Sequence, residues 1–127
     1  DFSNLNIILN GGLKDIESIT SVLRHVDGVM VGREAYANPY FLAQIERHIF
    51  NNSNVPSRHE IVESLMPYIQ RSLQNDIPLK DITRHILGLY QGMPGARRWR
   101  QILSQESHKK GANENVVMAA LQQVTTA

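Results

Sequence analysis

Ile7-Ile8-Leu9-Asn10-Gly11-Gly12 and Gly28-Val29-Met30-Val31-Gly32-Arg33-Glu34 are the stretches from which the fold is read. Each contains a short run of branched apolar residues that stops at glycine. The residues between them, from Asp15 to Val26, place Ile16, Ile19, Val22, Leu23 and Val26 at helical spacing on one face, with Asp15 positioned to cap. Strand, amphipathic helix, strand is the pattern of a parallel unit, and Asp27-Gly28 returns the chain to the sheet. Both glycine turns then open on one edge.

That edge suits an anion. Gly11, Gly12 and Gly32 have no Cβ to block approach to their backbone N–H groups, and Arg33 adds a permanent cation with a forked donor set. Either motif alone reads equally well as an ordinary turn. At the ends of two adjacent parallel strands they read as a phosphate site, like that formed after strands seven and eight of a (β/α)8 barrel. The uninterrupted Ile7–Leu9 run predicts a strand covered on both faces, and Met30 a core residue.

Further along, Asn38-Pro39 predicts a cap and first turn for a helix whose stripe is Phe41, Leu42, Ile45, Ile49 and Phe50. Asn51-Asn52-Ser53-Asn54-Val55-Pro56 reads as a linker over 51–56. Beyond it, Ser57 and Glu60 form a capping-box pattern, and Ile61, Leu65, Ile69 and Leu73 recur every fourth residue. Pro67 is expected to kink or divide that helix near Met66. A second helix is expected from Pro78 to Met93, carrying Ile82, Ile86, Leu89 and Tyr90. A third runs from Ala96 to about Ser107, and a fourth from about Asn113 to Val124 with Val117, Ala120, Leu121 and Val124 inward.

These residues carry a resemblance. Asn10-Gly11-Gly12, Val29 to Tyr36, Asn38-Pro39-Tyr40, Arg84 to Tyr90 and Gly92 to Arg100 together resemble the bacterial tRNA-dihydrouridine synthases, and within them the DusA subfamily. The resemblance implies the last two βα units of a TIM barrel, strands seven and eight with their helices, in residues 1–50. An all-α tRNA-binding domain would follow in 57–127, making the chain mostly helical. It implies FMN as cofactor and NADPH as reductant in reducing D-loop uridines, at positions 20 and 20a, to dihydrouridine. Asn10, Gly11, Gly12, Gly32 and Arg33 match the segment that holds the FMN phosphate, while Arg97 and Arg100, with Arg98 beside them, match the arginines that meet tRNA. The family's catalytic cysteine lies on an earlier barrel loop, and this chain has no cysteine. The chain is therefore expected to be part of an enzyme and inactive by itself.

Composition agrees with a folded chain: 42% of residues are apolar and 20% charged, which excludes a disordered polyampholyte. A complete barrel takes roughly 250 residues, so 127 do not contain one. No run approaches the roughly 20 apolar residues of a membrane span, and no leader is visible, so a cytoplasmic protein without membrane partners is expected.

Charge is uneven. Residues 1–50 hold four Lys/Arg against six Asp/Glu, and residues 51–127 nine against six. Between Arg84 and Lys110 there are six basic residues and one acidic, Glu106. Arginines at a helix start gain nothing from its dipole, so Arg97, Arg98 and Arg100 point to a polyanion, with Lys109 and Lys110 adding charge. A solvated basic face is the plainer alternative.

His48, His59, His85 and His108 show no metal-ligand spacing, so no metal is expected, and Trp99 reads as a core anchor. Two other readings stay open: a stand-alone RNA-binding helical module, and a fragment of another FMN- or phosphate-binding barrel oxidoreductase. The intact enzyme is expected to be monomeric. The unpaired strands of the fragment would seek partners, another copy included.

Overall fold

The computed structural model describes residues 5–10 and 12–124. Their elements, in order, are β1 (Ile8–Asn10), α1 (Ile16–Leu23), β2 (Gly28–Met30), α2 (Arg33–Ala37), α3 (Phe41–His48), α4 (Arg58–Gln74), α5 (Lys80–Thr83), α6 (Ala96–Glu106) and α7 (Glu114–Leu121). The structure is mostly helical with a small parallel sheet, and it divides into two units, Asp1–Val55 and Pro56–Ala127. No helix among the described residues is long and apolar enough to cross a membrane.

In the first unit β1 and β2 pair in parallel, Ile8 opposite Gly28, Leu9 opposite Val29 and Asn10 opposite Met30. Asp27 sets this register. Its carboxylate accepts the Ile7 N–H at 2.7 Å, while the Asp27 and Gly28 N–H groups both donate to the Ile7 carbonyl. Asp15 caps α1 as the sequence predicts, its Oδ1 accepting the Ser18 N–H at 2.7 Å. The helix ends at Leu23, short of the expected Val26, because the N–H groups of His25 and Val26 both turn back to the Val22 carbonyl.

The core of this unit is Leu13, Ile19 and Phe41, with Val29, Val31, Ile45 and Ile49 packed against it. Ile8 is 66% exposed and Met30 58%, so neither the doubly covered strand nor the core methionine is found. Among the described residues the sheet has two strands, and nothing there covers its second face. Asn38 does not cap a helix with its side chain, contrary to expectation. It closes the short helix α2, which the sequence reading missed, and its backbone carbonyl starts the turn into α3 by accepting the Phe41 N–H at 2.9 Å. Leu42 and Phe50 are exposed rather than part of the α3 stripe, Leu42 lying one helical step from Phe41 and Phe50 beyond the helix end.

In the second unit α4 has the full capping box. Ser57 Oγ accepts the Glu60 N–H, and Glu60 Oε1 accepts the Ser57 N–H, both at 3.1 Å. The helix runs through Pro67 without dividing. Its buried residues are Val62, Ile69 and Ser72, so of the expected every-fourth-residue face Ile69 is buried while Ile61, Leu65 and Leu73 are half-buried beside it.

The expected long helix from Pro78 to Met93 is corrected: only Lys80–Thr83 is α-helical. Beyond it the N–H groups of Ile86, Leu89, Gln91 and Met93 each bond three residues back, a chain of tight turns. Gly88 and Gly92 weaken helical continuity here, and Pro94 stops it. Ile82, Leu89 and Tyr90 remain buried all the same.

Trp99 on α6 is fully buried and donates its indole N–H to the Ile86 carbonyl at 3.0 Å, and its ring lies 4.7 Å from that of Tyr90. Tyr90 in turn shares a 2.9 Å hydrogen bond with His59 Nδ1, and Arg58 donates from Nε to the Leu89 carbonyl at 3.0 Å. The turn segment is thereby tied to both α4 and α6. Gly95, at φ 89°, starts α6 with its backbone against Gln123 and Val124, and a Cβ there would strike the Gln123 carbonyl. Asn113 caps α7, and Val117, Ala120, Leu121 and Val124 are buried as predicted.

A cleft at the strand ends and a basic helix

Parallel pairing in register places the residues after β1 and after β2 side by side. They form the wall of an open cleft of about 580 Å³ that includes Asn10, Gly12, Lys14, Gly32, Arg33 and Glu34. Four of the five residues expected to hold phosphate therefore share one cleft. The fifth, Gly11, lies outside the described residues.

Gly12 has φ 68°, a conformation that a side chain disfavours, and a Cβ added at Gly12 or Gly32 would meet nothing within 4 Å. The space beside both backbones is open, as close approach of a ligand to N–H groups requires. Donor chemistry fits as well, because Arg33 is exposed and, among the described residues, is joined to no carboxylate by an ion pair. A phosphate monoester matches this set of glycine backbones and guanidinium.

Sequence reading missed Lys14, Met30 and Glu34 as cleft residues. Lys14 follows the glycines at a distance of two residues, a signal that was available. Exposure of Met30 was not, since it depends on what covers the sheet.

In the second unit α6 presents Arg97 and Arg98 to solvent, with Arg100 half-buried and Ala96, Trp99 and Leu103 facing inward. No acidic residue occupies the first turn and no side chain caps it. Two exposed cations beside the positive end of the dipole cost about 0.3–1 kcal/mol each, and an anion in contact with them would reverse that penalty. Arg98 is steadied by donating Nη1 to Gln101 Oε1 at 2.8 Å. Among the described residues none of the three arginines pairs with a carboxylate. Lys109 does, lying 2.7 Å from Glu106, so its charge is partly offset while that of Lys110 is not.

Two further histidines make local bonds. His108 Nδ1 donates to the Ser104 carbonyl at 3.0 Å, and Arg84 Nε donates to His85 Nε2 at 3.2 Å. Among the described residues no three His, Cys, Asp or Glu side chains gather as metal ligands would.

The sequence matches the family model described as Dihydrouridine synthase (Dus) over residues 1–125. It is 49% identical over 127 residues to the tRNA-dihydrouridine(20/20a) synthase of Shewanella oneidensis, covering 99% of this chain and 38% of that protein. To the synthase of the same name from Vibrio cholerae it is 47% identical over 125 residues, covering 98% and 38%. For Escherichia coli K12 the values are 49% over 125 residues, 98% and 36%. The chain thus spans well under half the length of these relatives.

Proposed function

The chain belongs to the dihydrouridine synthase family, and from that premise we propose that it is the C-terminal portion of an FMN-dependent tRNA-dihydrouridine synthase that reduces D-loop uridines with NADPH. The observation that carries the reading is the cleft at the ends of β1 and β2, where Asn10, Gly12, Gly32 and Arg33 converge. In a (β/α)8 barrel this is the place where phosphate is gripped, so β1 and β2 are strands seven and eight and residues 1–50 are the end of the barrel. Asn10, Gly11, Gly12, Gly32 and Arg33 hold the phosphate of the cofactor. FMN bound there supplies the hydride transfer.

Residues 57–127, within the second unit, are the tRNA-gripping domain. A uridine inside a folded RNA must be unstacked before its ring is reduced, so firm purchase on the surrounding phosphates belongs to the reaction. Arg97, Arg98 and Arg100 supply it: guanidinium pairs with phosphate oxygens in bidentate fashion and stacks on splayed bases. The cysteine from which family members protonate the substrate is not in this chain, which has no cysteine. The location that follows from a tRNA substrate is the cytoplasm.

The test is Arg97→Ala in the intact protein that carries this chain. Affinity for tRNA should fall by about tenfold, and the slope of log K against log salt should drop by about one, the mark of one lost phosphate contact. Equal affinity and an equal slope would remove α6 from the tRNA interface. If the intact protein binds tRNA only through the second unit and takes up no flavin, the stand-alone RNA-binding reading replaces the enzyme.

A further inference from the structure

We propose that Lys14 is a second cationic ligand in the cleft, acting with Arg33 to select a phosphate monoester carrying close to two negative charges. The inference rests on reading the cleft as a phosphate site. Both residues line its wall, and they arrive from different strand ends, Lys14 after β1 and Arg33 after β2. Among the described residues neither is held in an ion pair.

Lys14 is also held at its post by its neighbours. Leu13, on one side, is 8% exposed and belongs to the core with Ile19 and Phe41. Asp15, on the other, has its carboxylate committed to the Ser18 N–H at the start of α1. That bond holds the Asp15 carboxyl below the usual carboxylate range, so Asp15 serves the helix while Lys14 serves the cleft. With both flanking residues anchored, the lysine Cα stays at the cleft wall and only its flexible stem moves.

Charge balance decides why a second cation is needed. Glu34 is the one carboxylate among the cleft-lining residues, and against Arg33 alone it would leave the wall neutral. With side-chain charges cancelled, only the backbone N–H groups would attract a phosphate. Lys14 restores one net positive charge, which a monoester with a second pKa near 6 exploits at neutral pH far more than a monoanionic diester or an unphosphorylated flavin does.

The experiment measures dissociation constants of FMN and of riboflavin, by quenching of flavin fluorescence, in the intact protein and in Lys14→Met, Lys14→Arg and Arg33→Met variants. Lys14→Met should weaken FMN about fivefold at low salt and leave riboflavin unchanged. Lys14→Arg should retain most of the preference for FMN. If Arg33→Met lowers the FMN-to-riboflavin preference while Lys14→Met leaves it untouched, Lys14 is not a ligand and the phosphate site stands without it. Equal weakening of both flavins by Lys14→Met would make the residue structural and would also overturn the proposal. If neither Arg33→Met nor Lys14→Met alters the preference, the phosphate reading of the cleft fails together with the inference.

Discussion

Tyr90 shows how much a single side chain can hold. It is fully buried, meets His59 through its hydroxyl and packs its ring against Trp99. Burial pushes its phenol up to about 12, with the Arg58 charge opposing and the Glu63 charge adding. The neutral form is thus favoured in the folded chain, whereas an unfolded tyrosine ionises near 10. Stability from this group is therefore intact below about pH 10 and is lost as pH rises toward 12, on the order of 1 kcal/mol per pH unit. Tyr90→Phe should cost about 1 kcal/mol at pH 8 through the lost hydrogen bond, and should flatten the decline between pH 10 and 12. Urea midpoints at pH 8, 10 and 11.5 would show both effects, and an equally steep alkaline decline in the variant would refute the assignment. Nothing in the local sequence marks His59 as the partner, because the two lie 31 residues apart. By contrast the gathering of Gly12, Gly32 and Arg33 at one cleft was legible, since glycine at a strand end and a neighbouring cation are local signals.

Among the elements, three of the four caps expected from local start signals form, and Asn38 is the exception. Asp15, Ser57 and Asn113 cap α1, α4 and α7 as their types and spacing predict, because a cap satisfies N–H groups two or three residues away. Ser57→Ala removes one half of the α4 capping box and should destabilise the intact protein by about 1 kcal/mol. A shift in the urea midpoint with unchanged m-value would register that loss, and an unchanged midpoint would mean that packing of Val62 and Ile69 alone holds the helix start. The segment from Arg84 to Met93 was misread as helix because its apolar spacing is helical. Long-range bonds from Trp99 and Arg58 to the Ile86 and Leu89 carbonyls favour the tight turns instead. Periodicity reports which residues go inward and leaves open which backbone brings them there.

Taken whole, the molecule is two units, and the stretch from Asn51 to Val55 before the second is free of regular structure. Asn52 is nonetheless tied to α3, its N–H donating to the Glu46 carbonyl at 2.9 Å, and Asn54 donates to the Asn52 side chain. Brief treatment of the intact protein with a broad-specificity protease should cut first between Phe50 and Pro56, giving products that mass spectrometry places at that junction. First cleavage between Arg84 and Pro94 would show that the buried turns around Tyr90 open more readily than the exposed asparagines. At this scale the amino-acid sequence by itself determined the parallel strand, helix, strand unit, the caps of α1, α4 and α7, the glycines at the strand ends and the basic start of α6. All of these arise from side chains acting on their near neighbours. Only the tertiary structure decided that Lys14 and Glu34 share a cleft with Arg33, that Met30 and Ile8 stay exposed, and that Tyr90, His59 and Trp99 knit turns where a helix was expected. Those outcomes depend on what each surface meets across tens of residues of chain, and no local spacing encodes that.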